Sequence, residues 1–344
     1  MRLVALPAVL LALVLLALVG ARPALAVDHA DRLAAFRERQ VNWATATPMP
    51  LAQQLADKFT QATGIKVTLV RNGDDALLRR LVEEPQGRTV GAQAGADVIT
   101  LSEAGSAIAL ARKGLLVPFR PDGFDEVIDG AKDKDGRWIA QRVQLAGLPV
   151  RTDLVPESER PKAWSDLADP RYRGRMVMAD PQASAIALAV VGALAQRLGW
   201  NFIRALRLND TMVVQGHAQL FKAMQRGERA LGIGGVDPRS LSDGKEPPNQ
   251  AMIVPTEGAF AVGAPVAVIK GAKNPNAARL FAQFMISTVA QRIVADNAMH
   301  SSRADIAPPK GQPALSTVPV MAIDFDRIER DAGDIRARFS EIFR

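Results

Sequence analysis

The chain has 344 residues, 48% of them hydrophobic, with 43 basic and 36 acidic residues and no cysteine. That is enough chain to bury two packed cores, and the missing thiols exclude disulfides, thiolate metal centres and a lipid-modified cysteine anchor. Basic residues are scattered and aromatics make up only 5%, which argues against nucleic acid, whereas the formal charge of +7 suits an anionic ligand or surface.

Residues 1–26 have a positive start at Arg2, an apolar run from Leu3 to Val19 and a small-residue end at Ala24-Leu25-Ala26. This pattern predicts a secretory signal cut before Val27; an uncleaved anchor is the alternative for a run of this length. Loss of Arg2 and Arg22 would leave 41 basic against 36 acidic residues. Residues 28–40 read as a short charged helix or loose arm. From Val41 a strand, a loop, a helix through Leu51, Leu55 and Phe59, a Thr63-Gly64 stop and a β-branched strand form a strand-helix-strand unit. Next come Asn72-Gly73, a helix through Leu77, Leu78 and Leu81, a Gly/Gln-rich loop, the strand Asp97 to Leu101, and a third helix that starts after Ser102 and ends at Lys113-Gly114. Such alternation predicts a mostly parallel sheet flanked by helices.

In such sheets ligands bind beyond the carboxyl ends of the strands, where helix N-termini offer unpaired N–H groups. Three loops qualify: Thr45-Ala46-Thr47, Asn72-Gly73 and Ser102-Glu103. Helix capping alone would explain each of them singly; their convergence is what points to a ligand.

Residues 137–155 read as one or two extended strands crossing into a second domain. There the strand Met176 to Ala179 leads into Asp180-Pro181-Gln182-Ala183-Ser184, which caps an apolar helix ending near Leu198-Gly199. A strand from Thr211 to Val214, the loop Gln215-Gly216-His217, a helix from Ala218 to Arg226 and a strand from Ala230 to Gly235 follow. The chain then returns through residues 252–285: a strand Met252 to Val254, a Pro-Thr-Glu-Gly turn, an apolar strand Ala264 to Ile269, and an amphipathic helix bearing Ala277, Leu280, Phe281, Phe284 and Met285.

No P-loop, dinucleotide glycine fingerprint, zincin helix or nucleophile elbow is present. The histidines are three, His29, His217 and His300, far apart in sequence. No catalytic residue, cofactor or metal site is expected, and the chain reads as a binding protein.

Several short stretches carry a resemblance. Thr63-Gly64-Ile65-Lys66-Val67, Ala96-Asp97-Val98, Lys113-Gly114-Leu115-Leu116, Arg151-Thr152-Asp153-Leu154-Val155, Asp169-Pro170-Arg171-Tyr172-Arg173-Gly174, Gly227-Glu228-Arg229-Ala230, Glu257-Gly258 and Lys270-Gly271-Ala272 occur in this order. Together they resemble periplasmic solute-binding proteins of ABC importers, in the branch with ferric-ion, phosphonate and sugar-phosphate binders, over about residues 40–340. The resemblance implies an α/β, two-lobed type II clamp, two doubly wound sheets joined by two crossover strands, closing on one solute. Lobe 1 would comprise residues 27–145 plus 256–344, and lobe 2 residues 146–255.

Ferric members of that branch use a consecutive tyrosine pair, which the resemblance places at Gly235-Val236, where there is none. The single tyrosine, Tyr172, belongs to a scaffold stretch. Glu103 stands where those proteins carry a carboxylate ligand, and their anion-holding arginine is displaced, here within Gln141-Arg142-Val143-Gln144. Arg151 stands where the family commonly has asparagine, and the alternative to an anion contact is an arginine that satisfies backbone carbonyls or a surface acid. Arg142, Arg151 and His217 near helix N-termini favour a small organic anion such as a phosphonate or sugar phosphate, with Glu103 and Asp237 available to an amine or hydroxyls. The expected ligand set is thus Thr45, Ala46, Thr47, Asn72, Gly73, Ser102, Glu103, Arg142, Arg151, Asp180, Gln182, Ser184, Gln215, His217, Gly235 and Asp237. The reading implies a monomeric periplasmic receptor whose partners are a small molecule and an ABC permease in the inner membrane. Ferric or iron-complex binding without the tyrosine pair, and a ligand-sensing adaptor for a membrane kinase, are the alternatives.

Overall fold

The computed structural model describes residues 29–83, 95–242 and 247–344. The expected signal and most of the Gly/Gln-rich loop before Asp97 lie outside the described residues. A helix α1 (His29–Glu38) precedes the first strand-helix-strand unit, β1 (Gln40–Thr45), α2 (Met49–Thr63) and β2 (Lys66–Arg71). α2 buries Leu51, Leu55 and Phe59 and stops at Gly64, whose φ of 71° lets its N–H close on Thr60 O, a backbone geometry that glycine adopts without steric cost. Then follow α3 (Asp74–Glu83), β3 (Val98–Thr100), α4 (Ala104–Arg112), β4 (Leu116–Val117) and the long β5 (Ile139–Arg151). β1 pairs in parallel with β2 and with β3.

Beyond β5 the chain builds β6 (Met176–Ala179), α5 (Ala185–Leu198), α6 (Trp200–Leu208), β7 (Met212–Val214), α7 (His217–Gln225), β8 (Leu231–Ile233), β9 (Gly235–Val236) and β10 (Gln250–Ile253). It then returns through β11 (Ala259–Ile269), α8 (Pro275–Met285), α9 (Thr288–Asp296), β12 (Val320–Met321), α10 (Phe325–Arg330) and α11 (Ala332–Phe343). The strand order is β2-β1-β3-β11-β5-β8-β6-β7. β5 is the shared strand: residues 139–146 pair with β11, and residues 148–151 pair with β10. β11 begins five residues earlier than the apolar run alone suggests, because residues 260–263 pair with β5 and Ala259 and Phe260 pair with Val320 and Met321 of β12, partners distant in sequence.

Two main cores flank this strand. In the first, Trp43, Phe59 and Phe281 meet edge to face at centroid distances of 5.2 and 4.9 Å. In the second, α5 is buried along most of its length with Trp164, Tyr172, Ile203 and Leu206 around it. Ile328, Ile335 and Phe339 of α10 and α11 join this second core, although residues 256–344 are expected with the first lobe. Gly192 on α5 makes room for them, since a Cβ there would lie 3.0 Å from Ile335 and 3.1 Å from Ile328. α10 also reaches back to α4, where Arg112 pairs with Asp326 and Glu329. Among the described residues no single helix is long and apolar enough to cross a membrane.

Candidate functional site

The carboxyl ends of β1, β2 and β3 gather three of the expected loops. Thr45 O accepts from Asn72 N at 3.0 Å and Ala46 N donates to Thr100 O at 2.8 Å, so adjacent strands hold the loops together. Asp74, the first residue of α3, accepts from Ser102 N at 3.0 Å and Ser102 Oγ at 2.7 Å. Glu103 caps α4, accepting from Gly105 N at 2.5 Å and Ser106 N at 2.7 Å. Both carboxyls are buried. Burial pushes Asp74 up to about 6 against the Ser102 hydrogen bonds. Burial and the nearby Asp74 charge push Glu103 up to about 7 against its own donors.

Arg142, whose charge acts on Asp74, is placed by an irregularity in the sheet. The β5–β11 register shifts between Ala264 and Pro265, so that Arg142 faces Ala264 and Ala140 faces Pro265. Gln141 is the extra residue, and such a bulge re-aims side chains that strict alternation would send to opposite faces. Consequently Gln141 and Arg142 both reach Thr47. Arg142 Nη1 donates to Gln141 Oε1 at 2.7 Å and Thr47 Oγ1 at 3.2 Å, and Thr47 Oγ1 donates to Gln141 Oε1 at 3.2 Å. Thr45 Oγ1 donates in turn to Thr47 Oγ1 at 2.8 Å. Gln291 Nε2 holds the Gln141 carbonyl at 2.7 Å. Arg142 is 1% exposed, and its Nε has no hydrogen-bond partner. Burial lowers its pKa to about 10 against the opposing charge of Asp74, which still leaves it charged at neutral pH.

The second group of strands contributes less free chemistry. Asp180 Oδ1 accepts from Gln182 N at 2.8 Å and Ser184 caps α5 through Ala187 N. Gln215 is exposed. His217 begins α7, its Nε2 lies 3.1 Å from Gly234 O, and burial of the ring lowers its pKa. Asp237 is occupied by Arg239, which donates Nε at 3.1 Å and Nη2 at 2.8 Å.

Two of the expected positions sit in other roles. Arg151 does not join the others: it donates to Asp153 through Nε and Nη2 and to the carbonyls of Met224 and Gln225, at the end of α7 opposite His217. Its charge neutralises Asp153 and the carbonyl end of a helix. At Gly235 a side chain has no room, since a Cβ there would lie 2.6 Å from Pro149 Cγ, and Val236 is buried in the second core. Tyr172 is a core residue whose OH donates to Glu159 O at 2.9 Å. Among the described residues no group of three His, Cys, Asp or Glu side chains could hold a metal ion.

Sequence reasoning missed Asp74, Gln141 and the C-terminal helix. Asp74 follows directly on Asn72-Gly73 and could have been taken with that loop. The placement of Gln141 depends on the register against Pro265 and left no trace in the β5 sequence. A cavity of about 650 Å³, lined by Trp200, Arg204, Arg207 and Arg338 among others, opens on α6 and α11, away from these loops.

Residues 95–331 match the family model described as bacterial extracellular solute-binding protein. Similar curated proteins include an uncharacterized protein of Haemophilus influenzae, 25% identical over 267 residues, 74% of this chain and 75% of the relative. The Fe(3+)-binding periplasmic protein of Serratia marcescens is 28% identical over 187 residues, 53% of each chain. Among solved structures, the periplasmic binding protein AfuA from Actinobacillus pleuropneumoniae with fructose-6-phosphate bound superposes with a TM-score of 0.76. It is 21% identical, and the match covers 88% of this chain and 99% of AfuA. The fold is therefore the two-lobed α/β clamp of type II periplasmic binding proteins.

Proposed function

The chain belongs to the bacterial extracellular solute-binding protein family, and from that premise we propose that it captures a small organic anion in the crevice and delivers it to an ABC permease. Solute capture for an ABC importer is the family's activity; the nature of the solute is our reading. The observation that carries it is Arg142. This buried guanidinium donates only to neutral oxygens, and the Asp74 carboxyl whose charge favours it is itself pushed up to about 6 by burial, so a bound anion would complete a counter-charge that the fold supplies only in part. Thr45 and Thr47 beside it, with the first turn of α3, supply hydroxyl and N–H donors for the other oxygens of a phosphonate, sugar phosphate or carboxylate. Asp74 and Glu103, buried near this cluster, favour a ligand that also carries hydroxyls or an amine.

We propose lobe 1 as residues 27–145 plus 256–324 and lobe 2 as residues 146–255 with α10 and α11. Export by a cleaved signal, a periplasmic location, a monomeric state and the absence of turnover complete the reading. The Serratia marcescens relative is named for Fe(3+), yet phenolate pairs are absent here, and a hard trivalent ion needs several anionic oxygens that the crevice does not gather.

A thermal-shift panel of phosphonates, sugar phosphates, carboxylates, amines and ferric salts tests the proposal, because a ligand bound only by the folded state raises the melting temperature. The expected result is a shift with a phosphorus-containing anion that disappears in Arg142→Met. A shift with ferric salts alone, or an anion shift that survives Arg142→Met, would overturn it.

A further inference from the structure

Arg336 on α11 lies between two loops that the proposed lobes contribute to opposite sides of the crevice. Its Nε donates to Pro181 O at 3.1 Å, in the loop before α5. Its Nη2 is 3.5 Å from Asp75 Oδ1, in the first turn of α3. The carbonyl of the same residue accepts from Gln182 Nε2 at 2.8 Å, and that amide also donates to Ser340 Oγ at 3.0 Å. One residue thus binds loop 180–184 through both its side chain and its main chain, while reaching across to the loop that carries Asn72, Gly73 and Asp74. The platform is firm, because Ile335 and Phe339 on the same helix are buried in the second core.

We infer that Arg336 is a positioning residue for solute capture, a latch that holds the Asn72–Asp75 loop against the Asp180–Ser184 loop and favours the closed arrangement of the lobes. The inference rests on the reading of these loops as solute-binding loops. A guanidinium suits the task because its planar fork serves two acceptors on different lobes at once, which a single ammonium does less well. The side chains of Arg336 and Asp75 are 30% and 39% exposed, so water can compete with the pair. The latch is therefore weak enough to open when solute is released.

Hydrogen exchange on the ligand-free full chain tests this. Arg336→Met and Asp75→Asn should each speed exchange of the amides of residues 72–75 and 182–184 by about two- to five-fold, the range of a partly exposed ion pair. The double variant should add little, because both changes remove one interaction. Arg336→Lys should recover part of the effect, and the melting temperature should stay within about 2 °C of the parent protein. Unchanged exchange in either loop, additive effects, or faster exchange throughout α5, α10 and α11 would overturn the inference, the last by showing that the helix pair had simply undocked. These readouts need no solute, so a failed ligand panel and a failed latch are separate results.

Discussion

Replacing Glu103 by glutamine should change how stability depends on pH. The Glu103 carboxyl is raised from an ordinary 4.5 to about 7, so between those values the folded chain holds a proton that the unfolded chain has released. Stability then falls as pH rises across this window and levels off above it, since the slope follows protons bound in the unfolded state minus those bound in the native state. At about 1.4 kcal/mol per pH unit, the elevation corresponds to about 3 kcal/mol that is present below pH 4.5 and lost by pH 8. Glu103→Gln keeps one acceptor for the first turn of α4 and cannot ionise, so it should lack this fall. Urea unfolding of both proteins from pH 4.5 to 8 should show the parent losing about 3 kcal/mol relative to the variant, the variant being the more stable above pH 7. Asp74→Asn should move the parent's fall to lower pH by removing the neighbouring charge. A parent that holds or gains stability against Glu103→Gln over that range would refute the reasoning, because the donors from Gly105 and Ser106 would then outweigh burial.

Arg151→Ala should cost about 1 kcal/mol in denaturant unfolding, since it strips Asp153 and the end of α7 of their partner, and should leave any ligand-induced thermal shift unchanged. Gly235→Tyr combined with Val236→Tyr should lower the melting temperature instead of creating a ferric site, because the first side chain would drive into Pro149; a visible absorption band on adding chelated iron would refute this. Gly192→Val should destabilise by about 1–3 kcal/mol through overpacking against Ile328 and Ile335, with limited proteolysis beginning in the C-terminal helices.

Much of the fold was legible because its strands and helices carry strong local patterns. The strand Met176 to Ala179 has the predicted bounds, and α2 stops at the predicted Gly64. The short family stretches also acquire physical reasons. Asp97 is fully buried and accepts from Asn42 N and Nδ2 and from Asn274 N and Nδ2, tying β1 to the start of α8. Glu257 accepts from Trp164 N, and Gly258 O accepts from Trp164 Nε1 at 2.9 Å, which fastens the returning chain to the second core. Such residues specify the scaffold and are blind to the solute, so they point to a family without naming what it carries.

The candidate site was legible only where it consists of loops that open helices. Thr45, Thr47, Ser102 and Glu103 converge because parallel strands end at one edge, a consequence of topology that alternation predicts. Arginine roles were not legible in the same way. Arg142 and Arg151 stand on one strand and carry the same charge, yet the first is aimed by a bulge set by Pro265, a residue far along the chain, and the second is claimed by Asp153 two residues away. Local sequence left the second open between an anion and a nearby acid or carbonyl, and the Arg-x-Asp spacing permits the fork-to-fork pair that forms. It could not have revealed the first, nor the reach of Arg336 from the C-terminal helix to Asp75, because both depend on contacts between segments far apart in the chain. The crevice is thus built from local helix starts, and its charge is set by distant packing.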